Sequence, residues 1–533
     1  MAQPLRVVIL KPSKYTTHGY MERFRWGFMP NSTVPYMRSM TPSCVGGTPI
    51  DVHRIDEYVH TDLRYLSLLR RPRGGRTLVA LVGVQSHQFH RALDLAAYAQ
   101  QNGSMAVIGG PHVMTCDTSP LHGRGVSFAL AEAELVWPEI LRDAIRGELR
   151  PVYGEKQRWQ QELESPVIIP PERRDLSRYI IPMLGLYPAR GCPFLCNFCS
   201  VTKIAGRRIR SQSIATTLAS LRAAKAAGVG AIMFTSDNFN KYAEAEELLA
   251  AMVEERLGLQ FFVQCDTQIA RQEHLVELLA KAGCFQMFVG VESFNRQTLL
   301  AAAKGQNRPE TYRDIVRLCR EYGISSHFSN IIGFPQDTEQ EVHQHLETLN
   351  ALGPTVASFY ILCPIPGTEQ YDDFLAEGLI SEKNLDRFDG TCLTWRHPCF
   401  SRAQMTGLLF WCYRSFFSWP KLLRMAHLTF CSRNKVAGSA RNMGLSLFSR
   451  YCAWRQMHPM SGGVLGVRRD GMQDFISLRK ETFGFELAPL PRSLQLSAAD
   501  SRLNGVAKPR LRSRLPQPAD RPVGPANSSR LGV

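Results

Sequence analysis

Residues 191–199 read Gly-Cys-Pro-Phe-Leu-Cys-Asn-Phe-Cys and place Cys192, Cys196 and Cys199 on one short loop. Cysteine thiolates are the usual ligands of iron–sulfur clusters, whereas a structural zinc site needs a fourth Cys or His, typically from a second spaced pair. Apart from these three cysteines, residues 154–264 contain no Cys or His. Three thiolates would hold three irons of a cubic 4Fe-4S cluster and leave the fourth iron open to another ligand. Zinc binding or simple packing is the alternative.

Length and composition are those of an ordinary globular protein. The 533 residues suffice for two or three domains, and contents of 44% apolar and 21% charged residues are typical of soluble chains. Fourteen cysteines are too sparse for a disulfide scaffold, and no secretory signal opens the sequence. We therefore expect reduced thiols and a cytoplasmic location. No stretch of about 18 uninterrupted apolar residues occurs, so no membrane span is expected.

The net charge of +16 is partly explained by the last 33 residues. Residues 501–533 hold seven Lys or Arg, one acid and five prolines, with no aromatic residue. This composition predicts a disordered basic tail that supplies six of the sixteen charges. The other ten charges are spread over 500 residues and do not indicate a nucleic-acid footprint. We therefore do not expect a nucleic-acid partner.

The first 150 residues alternate between strand and helix patterns, which predicts an open α/β sheet. The predicted strands are Arg6–Leu10, Thr77–Val84, Met105–Gly109 and Val126–Ala129. Gly109 and Gly110 end the third of these strands. Glycines at the carboxyl end of a buried strand allow a bulky ligand to approach, and open α/β sheets bind ligands at that edge. Residues 1–150 are interpreted as a Rossmann-like cofactor domain; a similar domain without a cofactor is the alternative.

The rest of the chain divides into four further segments. Residues 151–178 are polar and proline-containing and predict a linker, whereas 179–370 show six βα repeats that predict a partial (β/α)6 barrel. Residues 371–490 lose this rhythm and are rich in aromatic side chains, which predicts a helical extension, and 491–533 form the predicted tail. The aromatic residues are expected mainly in a core, with an apolar substrate pocket or a membrane-surface face as the alternative.

The cysteine loop, with Phe198 before its third cysteine, resembles the radical S-adenosylmethionine (SAM) superfamily. The barrel repeats are similar to that family's core. The Val82-Gly83-Val84, Ile108-Gly109-Gly110-Pro111-His112 and Ala131-Glu132-Ala133-Glu134 segments resemble the cobalamin-binding domain that precedes many such cores. The Asp-x-His-x-x-Gly motif of other cobalamin proteins is absent, as is common in this branch. The chain is identified as a member of the cobalamin-binding radical SAM proteins of the class B methyltransferase type.

The resemblance also assigns binding residues. It implies that the three cysteines ligate the 4Fe-4S cluster, while the SAM residues are Phe198, Asp237, Glu292, Ser293 and Gly333, and the cobalamin residues are Gly109, Gly110 and His112. A carboxylate that ends a buried apolar strand is costly without a partner, which independently favours a functional role for Glu292. Asp237 and its neighbours have a second interpretation as a helix cap. No catalytic acid or base is identified.

The implied activity is methylation of an unactivated carbon, or of phosphorus, in a small-molecule, lipid or pigment precursor. The cluster would deliver an electron to SAM, a 5′-deoxyadenosyl radical would abstract hydrogen, and methylcobalamin would donate the methyl group. An electron donor such as flavodoxin or ferredoxin is implied, and peripheral membrane contact is compatible with the sequence. The alternatives are a cobalamin-dependent radical SAM cyclase or rearrangement enzyme and a non-catalytic iron–sulfur or zinc module.

Overall fold

The computed structural model describes residues 3–16, 21–60, 63–382, 384–431, 436–460 and 462–467. The first strands are β1 (Leu5–Lys11), β2 (Phe24–Gly27), β3 (Cys44–Val45), β4 (Thr48–Asp56), β5 (Arg76–Leu81), β6 (Met105–Gly109), β7 (Val126–Ala129) and β8 (Val152–Tyr153). The accompanying helices are α1 (Thr33–Ser39), α2 (Phe89–Gln101), α3 (Pro111–Thr115) and α4 (Ala133–Arg146). Seven of these strands form one sheet in the order β3-β4-β1-β5-β6-β7-β8, parallel except for β3.

This N-terminal sheet confirms the predicted α/β class. The strands β1, β5 and β7 are almost wholly buried, as expected for parallel strands covered by helices on both faces. The carboxyl ends of β1, β5, β6 and β7 therefore lie along one edge. Sequence reasoning missed β4, whose pattern of half-exposed residues lacks a continuous apolar run.

The second sheet is built by the βα repeats. Its strands and the neighbouring hairpin are β9 (Met183–Leu186), β10 (Ala189–Arg190), β11 (Arg210–Ser211), β12 (Ala231–Phe234), β13 (Gln260–Cys265), β14 (Cys284–Glu292), β15 (Ser325–Ile332) and β16 (Val356–Ile361). The helices are α5 (Arg173–Leu176), α6 (Val201–Ile204), α7 (Ile214–Ala226), α8 (Ala245–Glu254), α9 (Glu273–Ala282), α10 (Arg296–Ala301), α11 (Tyr312–Glu321), α12 (Glu339–Leu352) and α13 (Glu369–Ala376). The six-stranded order β9-β12-β13-β14-β15-β16, parallel throughout, confirms the partial (β/α)6 barrel.

The C-terminal extension contains α14 (Arg402–Phe416), α15 (Trp419–Cys431), α16 (Val436–Trp454) and β17 (Gly463–Gly466). Strand β17 pairs antiparallel with β2, so the end of the described chain is joined to its beginning. Most of the aromatic residues are buried, namely Phe388, Trp395, Phe400, Phe410, Tyr413, Phe416 and Phe417. These side chains belong to the hydrophobic core, as the sequence analysis predicted for most of the aromatic residues. None of the described helices is long and apolar enough to cross a membrane.

The extension covers the open edge of the barrel. Among the described residues, strand β16 has no partner strand on one side, and its backbone groups bond to the extension instead. The Phe359 N–H donates to the Tyr413 hydroxyl over 3.1 Å, the His458 Nε2 lies 2.8 Å from the Phe359 carbonyl oxygen, and the Ile361 N–H donates to the Gly390 carbonyl over 2.7 Å. Unpaired backbone N–H and C=O groups at a sheet edge can pair with a strand of another chain. These three contacts give such groups of β16 a partner within the protein. The predicted domain bounds stay a prediction, and the tail 491–533 lies outside the described residues.

Candidate active site

The three-cysteine loop lies at the carboxyl end of β9, where barrel enzymes carry their functional groups. Cys192, Cys196 and Cys199 are half-buried and form no disulfide. The Cys192 N–H donates to the Gly206 carbonyl over 3.2 Å, and the Cys199 N–H donates to the Cys196 carbonyl over 3.1 Å. The loop is therefore held as a compact turn with its thiols on the barrel's open end.

Gly191 and Asp237 anchor the start of this loop. The Gly191 N–H donates to Oδ2 of Asp237 over 2.8 Å, and Gly191 has a φ of 110°. A side chain at position 191 would place its Cβ 2.3 Å from the Arg208 carbonyl oxygen, so only glycine fits. Asn238, not Asp237, precedes the short helix that follows, and no side-chain cap bond forms there. Asp237 therefore positions the cysteine loop and does not cap a helix.

Two thiols of the loop are protonated while no metal is bound. Burial raises the pKa of Cys192 to about 11 and the pKa of Cys199 to about 12, so both are neutral thiols in the protein alone. No group of three His, Cys, Asp or Glu among the described residues converges on a single ion position. In a cubic cluster each thiolate ligates a different iron, so convergence on one point is not required. The loop thus fits a cluster better than a single zinc ion.

Glu292 and Lys304 form a buried ion pair beside the loop. Glu292 ends β14 with a φ of 61°, an uncommon conformation for a residue with a side chain. Its Oε1 accepts a bond from Lys304 Nζ over 2.8 Å, and its Oε2 accepts one from Ser329 Oγ over 3.3 Å. Lys304 also lies 5.6 Å from the centre of the Phe198 ring. Burial opposes the charge on Lys304, but Glu292 and the Cys196 thiol raise its pKa above its usual value.

Ser293 and Gly333 shape the neighbouring turns. The Ser293 Oγ accepts a bond from the Asn295 N–H over 3.1 Å, and its carbonyl accepts one from the Tyr312 hydroxyl over 3.2 Å. Gly333 has a φ of 80°, and its N–H donates to Oδ2 of Asp337 over 2.8 Å. Burial raises the pKa of Asp337 to about 7, although backbone donors oppose that shift. Sequence reasoning missed Lys304 and Asp337.

An apolar cavity of about 290 Å³ lies between the N-terminal sheet and the barrel. We call it the inter-sheet cavity. On the side of the N-terminal sheet it is lined by small or apolar residues in or directly after β5, β6 and β7 and on α4, including Ala80, Val82, Val107, Gly109, Ala129, Trp137 and Ile140. Its barrel side includes Tyr187, Arg190 and Asp237. A cavity of this size and mostly apolar lining could hold an apolar ring, such as the base of the cobalamin nucleotide tail.

A buried charge cluster forms the rim of this cavity. Arg210 donates two bonds to the Glu132 carboxylate over 2.7 and 2.8 Å, and Arg190 lies 2.7 Å from Glu134. Burial opposes ionisation, but the bond from Arg210 holds the pKa of Glu132 below its usual value. Bidentate arginine–carboxylate pairs are strong and directional, so these residues fix the N-terminal sheet against the β10–β11 hairpin.

Of the three predicted cobalamin residues, two line the inter-sheet cavity and one does not. Gly109 and Gly110 line the inter-sheet cavity, and a Cβ at position 110 would lie 2.2 Å from the Val84 backbone nitrogen. Glycine is therefore required there by the adjacent strand end. His112 lies away from the cavity lining: its Nδ1 is 2.9 Å from Ser86 Oγ and its ring packs 4.2 Å from Phe89. Burial lowers the pKa of His112 to about 3. Its assignment to cobalamin stays a prediction that this packing does not support.

Comparison with known proteins identifies the barrel. Residues 186–349 match the family model of the Radical SAM superfamily. The chain is 28% identical to bacteriochlorophyllide d C-12(1)-methyltransferase of Chlorobaculum tepidum over 52% of this chain and 61% of that protein. It is 26% identical to the hopanoid C-2 methylase of Rhodopseudomonas palustris over 58% of this chain and 61% of that protein. The chain thus spans about three fifths of the length of both relatives.

The fold as a whole has a solved counterpart. The radical S-adenosylmethionine methyltransferase TsrM of Kitasatospora setae, solved with cobalamin and a [4Fe-4S] cluster, superposes with a TM-score of 0.55 at 17% identity. The match covers 71% of this chain and 75% of TsrM. At this identity the likeness concerns the fold, and it confirms the predicted order of a Rossmann-like domain before a partial barrel.

Proposed function

We propose that this chain, which carries a radical SAM domain, is a cobalamin-dependent radical SAM methyltransferase that acts on an unactivated carbon, or phosphorus, of a small-molecule, lipid or pigment precursor. One observation carries the proposal: the cysteine loop, the Glu292–Lys304 pair and the inter-sheet cavity meet where the carboxyl ends of both sheets face each other. The relatives that are named for methylation act on a pigment and a hopanoid, which supports the substrate class.

Each cofactor has residues that would hold it. Cys192, Cys196 and Cys199 would ligate the 4Fe-4S cluster and would each lose a proton on loading, because metals bind thiolates. Glu292 and Ser293 would accept hydrogen bonds from SAM, beside Phe198 and Gly333. Gly109 and Gly110 would border the cobalamin tail. When bound, the three cofactors supply reductive SAM cleavage, with one electron from outside, and a transferable methyl group.

The chain's own residues orient these groups and exclude water. Asp237 holds the start of the cysteine loop and also lines the inter-sheet cavity, so it couples the cluster site to the cobalamin site. Lys304 is the counterion of Glu292, the carboxylate that would accept hydrogen bonds from the cationic amino group of SAM. Arg190, Arg210 and Glu132 hold the two sheets at a set separation. Placement of this kind converts reactions between separate molecules into reactions within one complex.

A second cavity, of about 580 Å³, is the proposed substrate site. It lies at the covered edge of β16, where the His458 and Tyr360 rings are 4.6 Å apart. The wall includes Phe24, Phe410 and Met457. Its charged residues are more often basic (Lys14, Arg23, Arg387, Arg402 and Arg455) than acidic (Glu22, Asp386 and Asp389). This mixture supports an amphipathic substrate with an anionic group.

Arg387 is the residue proposed to receive that anionic group. Lys14 pairs with Asp389, and Arg402 pairs with Glu382 over 2.9 Å. The Arg387 guanidinium forms no ion pair or hydrogen bond with the described residues, although Arg387 lines the cavity. A planar guanidinium binds carboxylate or phosphate with two parallel hydrogen bonds.

A reduced flavodoxin or ferredoxin in the cytoplasm is the proposed source of the electron for SAM cleavage.

The proposed function is tested with anaerobically reconstituted protein. Wild type should hold about four irons, should bind a corrinoid, and should release 5′-deoxyadenosine from SAM with a reductant. The triple variant of Cys192, Cys196 and Cys199 to Ala should lose both iron and SAM cleavage, whereas the buried Cys363→Ala is the matched control. SAM with a deuterated methyl group then distinguishes methylation from cyclisation or rearrangement. Label in the product supports methylation, and an unlabelled cyclised or rearranged product supports the alternative. Full iron in the triple variant contradicts the proposal.

A further inference from the structure

The C-terminal extension has an extreme charge bias. Residues 390–469 contain twelve Lys or Arg and no Asp or Glu. In a chain with 63 basic and 47 acidic residues overall, a run of 80 residues without an acid is a distinct basic segment. It lies upstream of the predicted tail, and α14, α15 and α16 carry Arg402, Arg414, Lys421, Arg424, Arg441 and Arg450 from it. These three helices therefore have basic side chains and no acidic ones.

The same helices expose large apolar side chains. Trp419 is 58% exposed, Leu423 69%, Leu447 44% and Trp454 69%. Trp419 and Leu423 are four residues apart on α15, and Leu447 and Trp454 are seven apart on α16, so each pair lies on one helix face. The Arg450 guanidinium lies 4.6 Å from the centre of the Trp419 ring and joins the two pairs. The four side chains thus form one patch, here called the tryptophan face.

Exposed arginine side chains occur on the same helices and directly after α16. Arg414, Arg424 and Arg455 are exposed, and the Arg455 guanidinium is 5.8 Å from the Trp454 ring. Contiguous exposed apolar patches mark interaction sites in soluble proteins. Tryptophan prefers the boundary between water and hydrocarbon, and basic residues are attracted to anionic lipid head groups. Apolar insertion and basic charge together describe a membrane-surface helix pair.

We propose that the tryptophan face docks the protein on anionic membrane surfaces. The face adjoins the proposed substrate cavity: Tyr451 and Arg455 line that cavity, and the Tyr451 and Trp454 rings are 6.3 Å apart. Docking would bring the cavity next to the lipid phase, from which an amphipathic substrate can enter. The inference goes beyond the proposed function and needs none of its cofactors.

Vesicle sedimentation tests the proposal with the full chain. The probes are vesicles of phosphatidylcholine alone and of phosphatidylcholine with about 30% phosphatidylglycerol. We expect binding to the anionic vesicles that weakens with salt, because exposed charges are screened. Trp419→Ser with Trp454→Ser should weaken this binding about tenfold or more. Arg414→Glu with Arg424→Glu should weaken it similarly, because each basic residue near the surface adds attraction.

Matched controls use exposed residues elsewhere. Leu300→Ser with Leu375→Ser changes apolar side chains that are 44% and 46% exposed, and Arg313→Glu with Arg320→Glu changes exposed arginines of α11. Both should bind vesicles as wild type does. Thermal melting verifies that every variant is folded, and iron content reports the proposed function separately. Equal binding to neutral vesicles, or unchanged binding of the tryptophan variant, overturns the proposal. A wild-type dimer that the tryptophan variant converts to a monomer also overturns it, since the face would then join two copies.

Discussion

The ammonium nitrogen of Lys304 lies 2.8 Å from Oε1 of Glu292, and both side chains are about nine-tenths buried. Lys304 of this pair lies next to the ring of Phe198, which is a residue of the cysteine loop. A buried carboxylate without a counterion would take up a proton or distort the site. Lys304 thus supplies the counterion of Glu292 at the position where SAM is proposed to bind.

Lys304→Met should remove this counterion while it preserves most of the side-chain volume. Breaking a buried pair by removing one partner costs about 3–5 kcal/mol, so the melting temperature should fall by several degrees. SAM affinity, measured by equilibrium dialysis, should also fall.

Glu292→Gln in the Lys304→Met background is the diagnostic control, because the neutral amide needs no counterion. The double variant should regain stability but not SAM affinity. Equal SAM affinity in wild type and both variants would show that the pair is structural only.

Ala80→Leu should fill the inter-sheet cavity from β5. The added atoms would enter space that the cobalamin base is proposed to occupy, so corrinoid content, measured by absorbance, should fall strongly. Iron content should stay at the wild-type level, because the cysteine loop lies on the barrel side. A normal corrinoid content in a folded Ala80→Leu protein would show that the cavity is not the cobalamin site.

Tyr413→Phe should expose the edge of β16. The variant loses the acceptor of the Phe359 N–H and the hydroxyl 2.9 Å from His458 Nε2. A buried group left without its partner costs about 1–3 kcal/mol, so the free energy of unfolding should drop by that amount. Tyr322→Phe, which removes an exposed hydroxyl on the barrel, is the matched control and should be nearly neutral. Similar melting curves for both variants would contradict the role of Tyr413.

Asp337 should make stability depend on pH. Its pKa is raised from 3.8 to about 7 in the folded protein, so between these values the folded state keeps a proton that the unfolded state has lost. Stability from this group is present below about pH 4 and is lost as the pH rises towards 7, by up to about 4 kcal/mol. Asp337→Asn cannot titrate, so the wild-type melting temperature minus that of the variant should decrease between pH 5 and 8. A constant difference would contradict the raised pKa.

Local patterns were sufficient for several features. The bounds of β6 and β7 agree with the prediction, because buried parallel strands are short apolar runs between turn residues. The cysteine spacing predicted a compact loop, since all three cysteines lie within eight residues; their role as cluster ligands stays a prediction. The βα rhythm predicted the partial barrel, and the resemblance predicted the two-part architecture that the comparisons confirm.

Other features depend on residues that are distant in the sequence. Lys304 is twelve residues beyond Glu292, and no local signal marks it as the partner of that carboxylate. The pairing of β2 with β17 joins opposite ends of the described chain. The direction of His112, towards Ser86 and not the cavity, depends on which face of the sheet its short helix covers.

The sequence by itself determined the cysteine loop and the order of the strands along the chain, because these are encoded by spacing and periodicity within short segments. Only the tertiary structure decided which charges pair, which glycines face a neighbouring backbone and where the cavities lie. Those properties arise when segments hundreds of residues apart are packed together, and burial then makes each polar group depend on the partner that packing supplies.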